Sequence, residues 1–323
     1  MNIFYKIDFI KNIHNLNHIM SNLKSNSNTN TVFITRNIGS HVEFSKYMTA
    51  SVITAINSGM YCFQIFNGNP KSYTRNRFTE ADIESAKRII TRFPMHVFSH
   101  FPYIANLNGS VEKLAWKGDH EIDKKMHILL NELEYEVNAI ANFSLPGKNS
   151  GVVIHPGCYP DIKTGLHTIA VTINRINFEK NALLILENCA GEGRKLCKNF
   201  TEIKTIIDAV VVEKRKHVGV CVDTAHIFGQ GDYDLRTIDG IDRMFAAFVN
   251  IIGLDKFTLL HLNDSAVEFG SKKDRHKSLG RGFIWKDNLQ PLKHLINTCN
   301  HYNIPMILET PDSDMDMLLL ANI

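Results

Sequence analysis

Val218-Gly219-Val220-Cys221-Val222 is a short, almost wholly apolar run that stops at Asp223, with His226 three positions further on. The same pattern recurs along the chain. Met95-His96-Val97-Phe98-Ser99 ends at His100, Gly151-Val152-Val153-Ile154 at His155, and Leu183-Leu184-Ile185-Leu186 at Glu187. Phe257-Thr258-Leu259-Leu260 ends at His261 and Met306-Ile307-Leu308 at Glu309. Strands buried on both faces read as near-continuous apolar runs, and a ring of such strands carries its chemistry at their C-terminal ends. Packing alone gives no reason for every run to end in a His, Asp or Glu. The pattern predicts a parallel α/β barrel whose mouth holds metal.

Outward from these runs, strand and helix signals alternate from about residue 32. Strands are expected at 32–36 or 38–42, 62–66, 95–99, 151–155, 183–187, 218–222, 257–261 and 305–309. Helical spacing fills the gaps, as in Glu80 to Arg92, Val111 to Phe143 and Phe200 to Arg215. Such alternation implies parallel pairing and a TIM (β/α)8 barrel, in one domain over 32–323. Residues 1–31 differ. Ile3, Phe4, Phe9, Ile10, Ile13, Leu16, Met20 and Leu23 form a helical stripe, followed by a polar linker-like run from Lys24 to Thr31. This N-terminal extension is expected to be poorly ordered or a terminal helix, with a targeting or partner-binding helix as the alternative. At the other end, Met315 to Ile323 reads as too short for a full closing helix.

Composition narrows the class. The chain has 323 residues, 44% hydrophobic and 21% charged, which is ordinary for a globular protein. No apolar run approaches the roughly 20 residues of a membrane span, and no secretory signal is evident. Six scattered cysteines without a CxxC spacing fit a reducing, intracellular compartment (cytoplasm, nucleus or a viral replication site) rather than disulfides or cysteine ligation of metal. A net charge of +3 is too small to identify a nucleic-acid partner by itself.

A lone His at a strand end is more often structural than ligating, but neighbouring barrel strands converge at the mouth. Glu187, Asp223, His261 and Glu309 suit one hard or borderline divalent ion. Alone, that set would equally fit a sugar isomerase or epimerase, which is the alternative reading. Further ligands lie beyond it: His100 and His155 with the second oxygen of Glu187, and His226 with Asp274 and His276. In an extended segment, positions i and i+2 point the same way, so Asp274 and His276 can clamp one ion with His226. Nitrogen-rich ligation favours zinc. Nine residues can thus hold three metals, an arrangement suited to phosphodiester hydrolysis. An isomerase has no use for the additional ligands.

At this point several segments resemble the endonuclease IV family of abasic-site (AP) endonucleases. They are His155-Pro156-Gly157, Leu186 to Gly193, Gly219 to His226, His261-Leu262-Asn263-Asp264, Phe269 to Gly280 and Ile307 to Thr310. The resemblance runs in order from about residue 38 to 312. It implies a trinuclear zinc centre, with Mn²⁺ as an acceptable substitute. His100, His155 and Glu187 would hold one ion. Glu187, Asp223, His261 and Glu309 would hold the second, and His226, Asp274 and His276 the third. Glu187, Glu309 and His226 are also expected to be catalytic.

The implied reaction is cleavage of duplex DNA on the 5′ side of an abasic site, leaving a 3′-hydroxyl, together with trimming of blocked 3′ ends. The protein is expected to act as a monomer away from membranes. Tyr103 and Ile104 match the family's wedge positions, with Ile104 in place of a more usual leucine, and wedges of this kind hold distorted duplexes. Lys71 stands where arginine is common, keeping the charge but losing the planar stacking surface. Lys272, Lys273 and Arg275, with Lys277 and Arg281, are expected to contact the DNA backbone. His41 matches a further position beside the site, where it would support the ligands.

Overall fold

The computed structural model describes residues 37–44, 46–109 and 124–323. Eight strands close a parallel barrel: β1 (Ile38–His41), β2 (Cys62–Ile65), β3 (His96–His100), β4 (Ser150–Ile154), β5 (Leu184–Glu187), β6 (Val218–Asp223), β7 (Phe257–His261) and, after a small antiparallel ribbon, β10 (Met306–Leu308). Round the barrel the order is β1-β10-β7-β6-β5-β4-β3-β2. The ribbon pairs β8 (Asp264–Ser265) with β9 (His276–Lys277) and lies beyond the end of β7. Helices alternate with the barrel strands and pack outside them.

Strand alternation converts this closure into a site. Cys62, Phe98, Val153, Ile185, Cys221, Leu259 and Ile307 form one cluster inside the barrel, each fully buried. Their neighbours Val97, Val152, Ile154, Leu184, Leu186, Val220, Val222, Leu260, Met306 and Leu308 belong to the separate core between barrel and helices. Successive side chains point to opposite faces, so the residue two places beyond each inner apolar position also faces inward. Those residues are Gln64, His100, His155, Glu187, Asp223, His261 and Glu309. On β1 the same relation joins Gly39 to His41. An apolar plug thus supports a polar layer at the C-terminal mouth. Gly39 is required by closeness alone: a Cβ there would lie 1.6 Å from the Cys62 carbonyl oxygen.

The first strand of the barrel is Ile38–His41, within the expected 38–42, and the other expected segment, 32–36, lies outside the described residues. Two helices differ from expectation. Phe200–Ala209 ends where Val210 turns extended (ψ 139°), and Val212–His217 follows as a separate 3-10 turn. The consecutive Val210-Val211-Val212 explains the break, because β-branched side chains lose rotamer freedom in a helix. Of the expected Val111–Phe143 helix, Lys124–Ala141 is helical, and the expected start falls outside the described residues. The N-terminal extension also lies outside them. A helix of eight residues, Ser313–Leu320, follows β10, its start capped by Asp312. Among the described residues, no helix is long and apolar enough to cross a membrane.

Candidate metal centre

Parallel register brings the strand-end residues side by side. Asp223 pairs with His261 across β6 and β7, and Glu187 is level with Cys221 across β5 and β6. Glu187 lies fully buried at the hub. Its Oε2 is 3.1 Å from His100 Nε2 and 3.6 Å from His155 Nδ1. Its Oε1 is 3.1 Å from His261 Nδ1 and 3.4 Å from His226 Nδ1. Glu309 Oε2 also lies 3.1 Å from His261 Nδ1.

Asp223 does two local jobs. As the last residue of β6 it caps the helix Thr224–Gln230, its Oδ1 accepting the His226 N–H at 2.8 Å. This starts the helix at once and sets His226 over the mouth. Its Oδ2 lies 3.5 Å from His276 Nε2. Asp274 reaches the same place: Oδ2 is 3.1 Å from His226 Nε2 and Oδ1 is 3.4 Å from His276 Nε2. The expected third trio is therefore assembled, with Asp223 as an additional carboxylate on it.

Three compact groups of donor atoms result: His100/His155/Glu187, Glu187/Asp223/His261/Glu309 and Asp223/His226/His276, each with ligand atoms within 4.8 Å of one another. Their chemistry fits cations. His155 Nδ1 and His276 Nε2 are buried atoms that make no hydrogen bond although carboxylate oxygens stand close by. Burial pushes the His155 imidazole down to about 4, which leaves it neutral and able to offer a lone pair. Burial would raise the Glu187 carboxyl, but the imidazoles of His155 and His261 outweigh it and hold it well below the usual carboxylate range. Glu309 is likewise held low by His261 against its burial.

Neighbouring groups fix the tautomers. His100 Nδ1 donates to the Phe101 carbonyl at 2.7 Å, which frees Nε2. His226 Nδ1 donates to the Asn188 carbonyl at 2.9 Å, with the same effect. Gln64 spans two of the donor residues, donating from Nε2 to Glu309 Oε1 at 2.7 Å and accepting at Oε1 from His261 Nε2 at 3.1 Å. Asn188 Oδ1 accepts the Asp223 N–H at 2.7 Å, and Asn263 Nδ2 donates to Asp223 Oδ2 at 2.6 Å. Glu192 accepts the Asp274 N–H at 2.9 Å. Sequence reasoning gave none of these a role. For Gln64 a signal existed, since it stands two places beyond Cys62, as each strand-end donor residue stands beyond its own inner apolar residue. His41 lies on β1 with its ring 4.5 Å from that of Phe66, and burial lowers its imidazole to about 4.

A cleft of about 730 Å³ opens over the centre, lined by Tyr103, Ile104, His155, Asp274, Arg275 and Glu309, among others. Tyr103 and Ile104 are 55% and 47% exposed, although the Tyr103 ring stays 5.4 Å from that of His100. Lys71 is exposed on the loop after β2, next to Pro70, whose carbonyl accepts the Tyr103 N–H at 3.2 Å. Lys273 is exposed on the loop between the ribbon strands. Lys272 and Arg275 are exposed there too, but Lys272 Nζ donates to the Gln230 carbonyl and Arg275 Nη1 to the Asp274 carbonyl.

The family model of xylose isomerase-like TIM barrels matches residues 54–321. A probable endonuclease 4 of Clostridium beijerinckii is 32% identical over 279 residues, covering 85% of this chain and 92% of its own. The chain belongs to the endonuclease IV family. Among solved structures, endonuclease IV of Thermus thermophilus superposes with a TM-score of 0.71 at 23% identity, covering 88% of this chain and 97% of that one. A D-tagatose 3-epimerase-like protein shares the fold at a TM-score of 0.58 and 13% identity, over 88% of this chain and 94% of that one. The barrel is therefore common to endonuclease IV proteins and sugar epimerases, and the ligand set has to separate them.

Proposed function

We propose that this endonuclease IV family member is a zinc-dependent AP endonuclease that cuts duplex DNA on the 5′ side of abasic sites, leaving a 3′-hydroxyl, and trims blocked 3′ ends. The observation that carries the reading is the size of the centre. His100, His155, His226, Asp274 and His276 surround the one-ion set of Glu187, Asp223, His261 and Glu309, so the mouth offers nine donors where an isomerase needs four.

Bound in this donor set, three zinc ions would supply Lewis-acid chemistry for a phosphodiester at neutral pH. The chain's own residues supply the rest. Four carboxylates at one mouth would repel a phosphate unless cations neutralised them, so Glu187, Asp223, Asp274 and Glu309 couple substrate acceptance to metal loading. Gln64, Asn188 and Asn263 hold the donor atoms before substrate arrives, and such preorganisation favours charge development in the transition state. Tyr103 and Ile104 project beside the centre as apolar wedges, and an abasic nucleotide leaves the stack cheaply because it has no base to unpair. Lys71, Lys272, Lys273 and Arg275, all exposed, offer positive charge to the backbone.

The test is a duplex with one abasic site, resolved at single-nucleotide length, followed by polymerase extension of the nick. One cut 5′ to the lesion with an extendable end supports the proposal. An uncut duplex, or one ion bound per chain instead of three, would return the sugar isomerase reading. Tyr103→Ala is expected to weaken binding to abasic duplex by about ten-fold, in line with about 1–3 kcal/mol for an aromatic–nucleotide contact, and to affect intact duplex less. Equal weakening of both duplexes, measured by fluorescence anisotropy, would remove Tyr103 from the wedge role.

A further inference from the structure

The loops carrying Lys71 and Tyr103 are tied to each other and to one helix by contacts that the metal centre does not use. In the loop after β2, Arg75 is buried, and its guanidinium gathers three carbonyls. It donates from Nε to Tyr73 at 3.0 Å and from Nη2 to Asn69 at 2.8 Å and to Ser72. Its Nε also stands 3.7 Å from Glu136 Oε2, with both side chains fully buried. Glu136 Oε1 accepts the hydroxyl of Ser99, the residue before His100.

Glu136 belongs to the helix Lys124–Ala141, whose Glu132 and Tyr135 grip the same loop. Glu132 accepts the Arg75 N–H at 3.1 Å and both Arg77 guanidinium nitrogens at 2.7 and 2.8 Å. Tyr135 accepts the Phe78 N–H at 2.7 Å and stacks under Arg77 at 3.8 Å. Positions i, i+3 and i+4 share a helix face, so one face of this helix holds the whole base of the loop. On its other side the loop meets the segment after β3. The Arg75 guanidinium lies over the Phe101 ring at 5.7 Å, and the Tyr73 hydroxyl donates to the Ile104 carbonyl at 2.9 Å.

We propose that residues 67–78 and 101–107 form one preset platform for the DNA, and that Arg75 and Glu136 are its positioning residues. The coupling stands on these contacts; its service to DNA rests on the function proposed above. Only a planar guanidinium can donate in several directions while staying charged when buried. A buried cation in turn needs a facing carboxylate, and Glu136 provides it while reaching the strand that ends in His100. A preset platform spares the duplex the cost of ordering two loops on binding.

Steady-state kinetics on abasic duplex and hydrogen exchange of the zinc-loaded protein test this together. Arg75→Lys is expected to raise KM roughly ten-fold while kcat stays within about two-fold, because a point charge replaces the fork without touching the metal ligands. Exchange should quicken in both 67–78 and 101–107 and nowhere else in the barrel. Tyr73→Phe keeps the buried pair and cuts one cross-loop bond, leaving that from the Tyr103 N–H to the Pro70 carbonyl. It should quicken 101–107 alone, and it carries the test if Arg75→Lys does not fold. Unchanged exchange in 101–107 in Tyr73→Phe, or a loss in kcat with KM unchanged in Arg75→Lys, would overturn the platform. Exchange that alters in the expected segments while wild-type protein leaves abasic duplex uncut would keep the coupling and overturn its assignment to DNA.

Discussion

Glu187→Gln is expected to lower turnover on abasic duplex by about 10³-fold or more, since preorganised charge at a metal-assisted centre commonly contributes that much. The carboxylate lies within 3.6 Å of four imidazoles, and both of its oxygens are engaged. Gln fills the same volume but offers one acceptor and no charge, so two donor groups lose their shared member at once. Lys71→Ala supplies the contrast. It removes one exposed positive charge and should cost about ten-fold, mainly in KM and mainly at low salt. Circular dichroism should show both variants folded. Comparable losses of turnover in the two would contradict the hub role of Glu187.

Asn263→Ala is expected to weaken metal binding by about 10–100-fold, the usual effect of removing a group that orients ligands. Asn263 is fully buried. Its Nδ2 holds Asp223 Oδ2, and its Oδ1 accepts the Glu309 N–H at 3.0 Å, so one amide aligns two donor residues from different strands. Leaving those polar groups unpaired should also lower stability by about 1–3 kcal/mol. Zinc competition against a chromophoric chelator measures the first effect and urea unfolding the second. Unchanged zinc affinity alongside lost stability would make Asn263 a folding residue only.

The barrel was legible because six of its eight strands announce themselves twice, by an apolar run and by the His, Asp or Glu that ends it. Alternation then carries the ligands to one layer, so the site could be read from strands whose pairing was not yet known. The supporting groups were hidden for a physical reason. Gln64 meets Glu309 and His261 across 245 and 197 residues of chain, and Asn188 meets His226 through its backbone carbonyl, which no side-chain pattern encodes. Arg75 and Glu136 are similarly invisible to spacing, since a loop and a distant helix make a pair only once β2 and β3 are neighbours. Asp223 was expected on one ion and stands beside two groups, because capping its own helix turns its second oxygen toward His276. The break at Val210 shows the limit of periodicity: apolar spacing continued where β-branching stopped the helix.

The most direct test of the proposed metal-dependent repair chemistry is cleavage of a duplex bearing a single abasic site by three samples: protein as purified, protein held for long periods with a strong zinc chelator, and chelated protein given zinc again. The expected result is one nick on the 5′ side of the lesion, lost on chelation and restored by zinc. A fully zinc-loaded protein that leaves the duplex intact, or a nick that survives complete removal of metal, would contradict it.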